Sequence, residues 1–132
     1  MEGGTANALV VFADGTYLEL IHFIAPPTPD NPHPWAQRKP GWVDLAFLGN
    51  AGTPSVAKTI NERAQAEGSP VQFVGEMPGG RTLEDGTVLK WLISGAIGEG
   101  VRGKLPFFCG DITPREWRVS GDVSLRSLLE PR

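Results

Sequence analysis

The sequence predicts an α+β fold in which a β-hairpin precedes one β-α-β-β-β unit. Short runs rich in β-branched and aromatic residues recur along the chain, and one segment has the apolar spacing of an amphipathic helix. The 17 glycines and 12 prolines among 132 residues indicate frequent turns, which suit short strands. Because a chain of this length builds one core, residues 1–132 are predicted to form a single domain.

The first predicted element is a hairpin made by residues 7–12 (NALVVF) and 17–24 (YLELIHFI). Asp14 and Gly15 lie between these runs, and Asp-Gly favours a hairpin because glycine adopts the positive φ of a tight turn. The following segment, 25–40, holds six of the 12 prolines, so it is predicted to be a linker outside any sheet.

Residues 41–119 are predicted to form the β-α-β-β-β unit. Its helix spans 53–68, with Thr53 as N-cap, Pro54 at the first helical position and Gly68 at the end. Its strands are predicted at residues 41–49, 71–76, 87–94 and 105–112, and a tail of residues 120–132 follows.

The Asp-Gly-Thr turn at residues 14–16 recurs at residues 85–87, and each turn leads into an apolar strand. The first of these strands has Glu19 at its centre, whereas the corresponding residue of the second is Lys90. The two turns occupy different places in their units. The similarity therefore indicates repeated turn chemistry rather than an internal repeat.

Composition argues against several classes of partner. Lys and Arg total 12 against 15 Asp and Glu, giving a net charge of −3 without a basic cluster, so nucleic acid is not an expected partner. No apolar run reaches the roughly 20 residues of a membrane span, and the N-terminal residues have no basic segment typical of a signal peptide. A cytoplasmic protein without a membrane partner is expected. Cys109 is the only cysteine, which excludes an intrachain disulfide and a zinc site of several thiolates.

Four stretches resemble the glyoxalase-like domain family of the vicinal oxygen chelate superfamily, which includes glyoxalases, bleomycin resistance proteins and dioxygenases. They are GGTANALVVFADGTYLELI, GWVDLAFL, PGGRTLEDGTVLKWLI and LPFFCGDITPREWRV, and they cover most of residues 3–119. The resemblance implies two βαβββ modules whose mixed sheet bends into a cup, with the helix on its outer face. Residues 3–24 then correspond to the end of a first module that lacks its first strand and helix.

The resemblance also implies a divalent metal, zinc, nickel, iron or manganese, held by residues of the inner strands. Glu19 in YLELI matches the apolar-Glu-apolar setting in which the superfamily often places a metal ligand. Strand alternation puts Tyr17, Glu19 and Ile21 on one face, so Tyr17 is a candidate ligand contact beside Glu19. If this face lines the cavity, Glu19 is a metal ligand or general base; otherwise it lies on a solvated strand face.

Four further residues are candidate site residues. Asp44 interrupts an apolar strand and either lines the site or binds nearby backbone, and Asp111 is a candidate metal ligand. Arg81 offers a planar fork of donors to an anionic ligand, against the commoner outcome of a surface arginine. Trp91 is a candidate ligand contact or a core residue. Related sequences carry His, Asp or Glu directly after the residue corresponding to Cys109, whereas this chain has Gly110.

Two functions follow from the resemblance, and a third possibility from the missing strand and helix. The chain is a metal-dependent lyase or isomerase acting on a small oxygenated substrate, with Glu19 as ligand or base. Alternatively, it is a non-catalytic module that binds a small molecule on the same sheet, or an inactive shortened family member. Whether the chain is an enzyme is left open.

A homodimer is predicted because a module without its first strand leaves an open sheet edge, which proteins rarely leave bare. One arrangement that would complete the cavity places the Glu19 hairpin of one chain against the βαβββ unit of the other.

Overall fold

The structure is a computed structural model, and it describes residues 4–31, 33–98 and 101–119. The chain divides into two compact units, Met1–Lys39 with Glu116–Arg132, and Pro40–Arg115. The predicted tail, 120–132, lies outside the described residues, and the predicted domain boundaries stay a prediction. The elements are β1 (Thr5–Val11), β2 (Tyr17–Phe23), β3 (Ala46–Leu48), α1 (Val56–Ala66), β4 (Met77–Thr82), β5 (Val88–Ser94), β6 (Phe107–Asp111) and α2 (Arg115–Arg118).

The first unit contains the predicted hairpin. Strands β1 and β2 pair antiparallel from Thr5↔Phe23 to Val11↔Tyr17. Gly15 has φ 80° and its N–H donates to the Phe12 carbonyl at 3.0 Å, so glycine is needed at this turn.

The second unit is one β-α-β-β-β module, as predicted. Its sheet has the order β3-β6-β5-β4, in which β3 runs parallel to β6 and the other neighbours are antiparallel. The predicted mixed α+β fold is confirmed. No helix in the described part of the chain is long and apolar enough to cross a membrane.

The predicted strand at 71–76 is wrong, because the strand that follows α1 is β4, Met77–Thr82. Pro78, Gly79 and Gly80 disfavour a strand in the sequence. Strand β4 nevertheless forms at the edge of the sheet, where a proline needs no ladder partner for its missing N–H. The segment predicted instead contributes an isolated bridge between Phe73 and Ala96.

Helix α1 begins later than predicted. Its N-cap is Ser55, whose hydroxyl oxygen accepts from the Lys58 N–H at 3.0 Å, rather than Thr53. Pro54 accordingly precedes the cap. Gly68 lies just beyond the end of the helix with φ 67°, as expected of a glycine that terminates a helix.

Helix α1 lies against one face of the four-stranded sheet. The Asn61 side chain of α1 pairs with both backbone groups of Phe73, at 2.9 and 2.7 Å, and the Phe73 ring packs against Phe108 of β6 at 5.8 Å. The Phe108 side of the sheet therefore faces α1. We call the opposite side the far face. By register and alternation, the far face carries Arg81, Leu89, Trp91, Ile93, Phe107, Cys109 and Asp111.

Candidate functional site

Glu19 lies on the hairpin face that also carries Asn7 and Tyr17. The register Asn7↔Ile21 and Leu9↔Glu19 puts these side chains on one side of the two strands. The Asn7 Nδ2 donates to Glu19 Oε1 at 2.6 Å, which orients the carboxylate, although Glu19 is solvent-exposed. Within the described residues, Glu19 Oε2 accepts no hydrogen bond.

Tyr17 on the same hairpin face is engaged by an arginine from the end of α2. Arg118 Nη1 donates to the Tyr17 hydroxyl at 2.7 Å, and the guanidinium carbon lies 5.7 Å from the centre of the phenol ring. Both residues are half-buried. The hairpin therefore presents an oriented carboxylate beside a phenol held by a cation.

Asp44 is a buried carboxylate paired with an arginine. Its side chain is 3% exposed, and its Oδ2 accepts from Arg102 Nη2 at 2.7 Å and Nε at 3.0 Å. The other oxygen accepts from the Leu45 N–H at 3.0 Å. Because an unpaired buried carboxylate is costly, these donors explain how Asp44 is tolerated. The Arg102 guanidinium also lies 4.7 Å from the centre of the Phe107 ring.

Asp111 and Trp91 are direct partners on neighbouring strands of the far face. The register between β5 and β6 is continuous, without a bulge. Asp111 therefore lies on the same side of β6 as Cys109, opposite the side of position 110. Arg115 Nη1 donates to Asp111 Oδ2 at 3.1 Å, and the Asp111 side chain is 9% exposed. Arg81 is half-buried on the same face, where it pairs with Leu89.

Gly79 explains how the Trp91 ring is seated. The two residues are partners across β4 and β5, and a Cβ at position 79 would overlap the Trp91 indole nitrogen. The ring thus lies against the bare backbone of its partner. Glycine at position 79 is required by this packing rather than by an unusual φ.

Gly110 is at the position for which the resemblance implies a ligand, and no side chain fits there. A Cβ at position 110 would overlap the Asn50 carbonyl oxygen. The adjacent Gly49 N–H donates to the Cys109 carbonyl at 2.9 Å, which holds the two backbone segments together. Close backbone packing therefore replaces a side chain at this position.

The N-terminus of α1 is already occupied by a carboxylate of the chain itself. Glu76 Oε1 accepts from the Ser55 hydroxyl at 2.9 Å and from the Ala57 N–H at 3.2 Å. Partial burial raises the pKa of Glu76. Hydrogen bonds from its own N–H, the Ser55 hydroxyl and the N–H groups of Ala57 and Val56 outweigh burial, so the pKa lies below its ordinary value. The backbone N–H groups at this helix end are therefore already bound by the Glu76 carboxylate, not by an external anion.

A shallow groove of about 730 Å³ runs beside α1. Its lining contains no aromatic residue, so it is less suited to an apolar ligand than the far face. The residues that line it are Ser55, Ala57, Lys58, Asn61, Glu62, Gln65, Ser69, Val71, Gln72 and Gly75.

The donor set of the described residues does not fit a divalent metal. No group of three or more His, Cys, Asp or Glu side chains is close enough to hold an ion in the described ranges. One oxygen each of Asp44 and Asp111 is paired with an arginine, the other Asp44 oxygen accepts from the Leu45 N–H, and Glu19 has one amide partner. A site in these residues would lack the ligand number that such metals require.

The structure brings together three of the predicted site residues and leaves three apart from them. Trp91, Asp111 and Arg81 share the far face of the second unit. Asp44 precedes β3 and binds Arg102. Tyr17 and Glu19 belong to the first unit.

Three partners of these residues were missed by the sequence prediction. Asn7 could have been found by counting register back from the Asp14-Gly15 turn. Arg115 follows Asp111 by four residues, and the short turn between β6 and α2 brings the two side chains together. Arg118 gave no signal, because it lies 101 residues from Tyr17.

A family model described as glyoxalase-like domain matches residues 1–128. The chain belongs to the glyoxalase-like domain family. The resemblance carried by the four sequence stretches is thereby confirmed. Searches of curated proteins and of solved structures found no match.

Proposed function

We propose that this glyoxalase-like domain is a small-molecule-binding module that works without a metal. The observation that carries the proposal is the pairing of Asp44 and Asp111, the two candidate carboxylates of the second unit, with arginines. An acid held in this way is a poor metal ligand or base, because the ion pair would have to break first.

The far face supplies the proposed ligand surface. Trp91, Ile93 and Cys109 are half-buried on this face, so part of each side chain is accessible. An ion pair lies toward each end of β6: Asp44–Arg102 beside Phe107, and Asp111–Arg115 at the last residue of the strand. The charges of each pair cancel. Arg81 lies on the edge strand β4, opposite Leu89. Around Trp91, Ile93 and Cys109, a neutral, largely apolar molecule with a planar part therefore suits the surface better than an ionic one.

Two-dimensional amide NMR with 2-naphthol as a neutral aromatic probe tests this proposal. We expect the largest shifts at the Trp91 indole N–H and at residues 91–93. Trp91→Ala should weaken binding by about tenfold or more. Trp42→Ala is the matched control, because Trp42 is 90% exposed and lies outside the far face. Shifts centred on Trp42 or α1, or equal binding by both variants, would refute the proposed surface.

A metal-dependent lyase or isomerase is the second candidate function. It is favoured by Glu19, whose carboxylate is oriented by Asn7 and retains an oxygen that accepts no hydrogen bond from the described residues. Elemental analysis of protein purified without an affinity tag, beside a Glu19→Gln variant, tests it. Near-stoichiometric zinc, nickel, iron or manganese that is lost in the variant would favour the enzyme. Equal, trace metal in both proteins is the result expected for a binding module.

The remaining expectations belong to the same proposal. We propose a small molecule as ligand, a second copy of the chain as partner, no nucleic-acid or membrane partner, and a cytoplasmic location. The net charge of −3 supports the omission of nucleic acid. A sedimentation coefficient that stays constant with concentration at the value of a monomer would contradict the second copy.

A further inference from the structure

Strand β3 is an end strand of the four-stranded sheet. It pairs with β6 on one side and, among the described residues, has no strand on the other. Its residues, Ala46, Phe47 and Leu48, are all exposed. A strand edge of this kind presents unpaired backbone donors and acceptors with which another strand can form hydrogen bonds.

The direction of the free backbone groups follows from the ladder with β6. The Leu45 carbonyl accepts from Phe107 at 2.9 Å, and the Gly49 N–H donates to Cys109 at 2.9 Å. Because a parallel ladder uses alternate residues, Ala46 and Leu48 turn their N–H and C=O groups outward. Among the described residues, no hydrogen-bond partner is found for those outward groups.

The side chains of this edge are apolar and carry no accessible charge. Leu45 is 59% exposed, Phe47 50% and Leu48 65%. The single charged residue of the segment, Asp44, is 3% exposed and neutralised by Arg102. Native edges are usually protected by charge or proline, and neither is present in β3.

The other strand edges differ in these respects. Strand β4 contains Pro78, which has no N–H, and Arg81, whose charge would meet its own copy across a symmetric pair. Strand β2 has the exposed Glu19 at its centre. All residues of β1 are half-buried. The combination of full exposure, free backbone groups and absent charge therefore belongs to β3 among the described strands.

We propose that β3 pairs antiparallel with β3 of a second copy of this chain, about a two-fold axis at Phe47. This interface is the site at which the second copy named under the proposed function would bind. The strand pairing does not depend on which ligand the far face binds. In this register Ala46 of one copy faces Leu48 of the other, and both turn their backbone groups outward, so they form a hydrogen-bonded pair. Phe47 then faces its own copy in a non-hydrogen-bonded pair, where aromatic side chains meet closely. The apolar, uncharged edge is what makes identical copies compatible.

Sedimentation over a concentration range tests the association. The wild-type chain should change from a 14.2 kDa species to one of twice that mass as its concentration rises. Leu48→Lys and Ala46→Pro should both remain monomeric, the first by adding charge and the second by removing an outward donor. Val88→Lys is the matched control and should still associate, because Val88 is 46% exposed on the inner strand β5 of the same sheet.

A cysteine pair tests the register and does not depend on strong association. In a Cys109→Ser background, Phe47→Cys should give a disulfide-linked dimer on mild oxidation, because residues facing each other at this position lie about 4.5 Å apart between Cα atoms. Leu48→Cys in the same background should not. A monomer at every concentration, an unchanged dimer in both edge variants, or preferential cross-linking at position 48 would each overturn the proposal. Circular dichroism of each variant separates loss of pairing from loss of fold.

Discussion

The two hairpins, β1–β2 and β4–β5, have the same turn but different strands. In each, an aspartate accepts from the N–H of the threonine two residues later, at 2.9 Å in both turns. Gly15 has φ 80° and Gly86 has φ 84°. The registers correspond as well, since Val11↔Tyr17 in the first matches Thr82↔Val88 in the second. Local turn chemistry therefore fixes the register of each hairpin, independently of the residues in the strand that follows the turn.

What differs is the environment that each second strand enters. Strand β2 has one strand neighbour among the described residues, and Glu19 faces Leu9 and binds Asn7. Strand β5 lies between β4 and β6, and the Lys90 carbonyl also accepts from the Ile112 N–H at 2.9 Å. The charged residue at this position is therefore held through its side chain in the first hairpin. Its counterpart Lys90 is held through its backbone, whose N–H also donates to the Thr113 hydroxyl at 3.1 Å. Tertiary neighbours, not the turn, decide the role of the strand residue.

The largest expected difference between the hairpins is at Gly79 and its counterpart Ala8. A Cβ at position 79 overlaps the Trp91 indole. We expect Gly79→Ala to lower the free energy of unfolding by about 2 kcal/mol, as overpacking does. Ala8 already carries a Cβ opposite Leu20, so Ala8→Val should change it by less than about 0.5 kcal/mol. Urea titrations followed by circular dichroism measure both. Equal losses would mean that Trp91 is not seated on position 79.

The two turn glycines should respond alike. A Cβ added at either position would meet no atom within 4 Å beyond its neighbours in the chain, so the cost of a side chain is a backbone cost alone. Gly15→Ala and Gly86→Ala should each lose about 1–2 kcal/mol, the usual penalty of a left-handed residue. Asparagine at either position should recover part of the loss. Thermal unfolding of the four variants checks this, and tolerance of alanine at one turn would break the equivalence.

The smallest effect concerns the turn aspartates. The Thr16 hydroxyl, then its N–H, lower the pKa of Asp14, and the Thr87 N–H, then its hydroxyl, lower the pKa of Asp85. Stability from these bonds is complete above the unfolded-state pKa and is lost as pH falls through the lower folded-state pKa. Carboxyl NMR titration should find both pKa values below the ordinary aspartate value of 3.8. Thr16→Val and Thr87→Val should each raise the pKa of the adjacent aspartate alone. An unchanged pKa in both variants would contradict the hydrogen bonds.

The features that the sequence predicted correctly are local ones. Both Asp-Gly turns, helix α1 and the order of the β-α-β-β-β unit follow from residues close together in the chain. Strand β4 was misplaced because Pro78 and Gly79 are explained only by the sheet edge and by the ring of Trp91. The helix cap moved to Ser55, whose hydroxyl bonds Glu76, 21 residues away.

The candidate site was less predictable for the same reason. Asp44 was found as an anomaly in an apolar strand, but its partner Arg102 lies 58 residues further along the chain. Burial and pairing of this kind depend on tertiary packing between distant residues, which local sequence patterns do not encode. The acids were therefore identified as candidates, while their pairing with Arg102 and Arg115 was not predicted.

Calorimetric titration of 2-naphthol into chelator-treated protein tests the central claim most directly. A metal-free binding module should bind the probe with the same affinity before and after stoichiometric zinc, nickel, iron or manganese is restored. Binding that appears only after a metal is restored would contradict that claim and favour the metal-dependent enzyme.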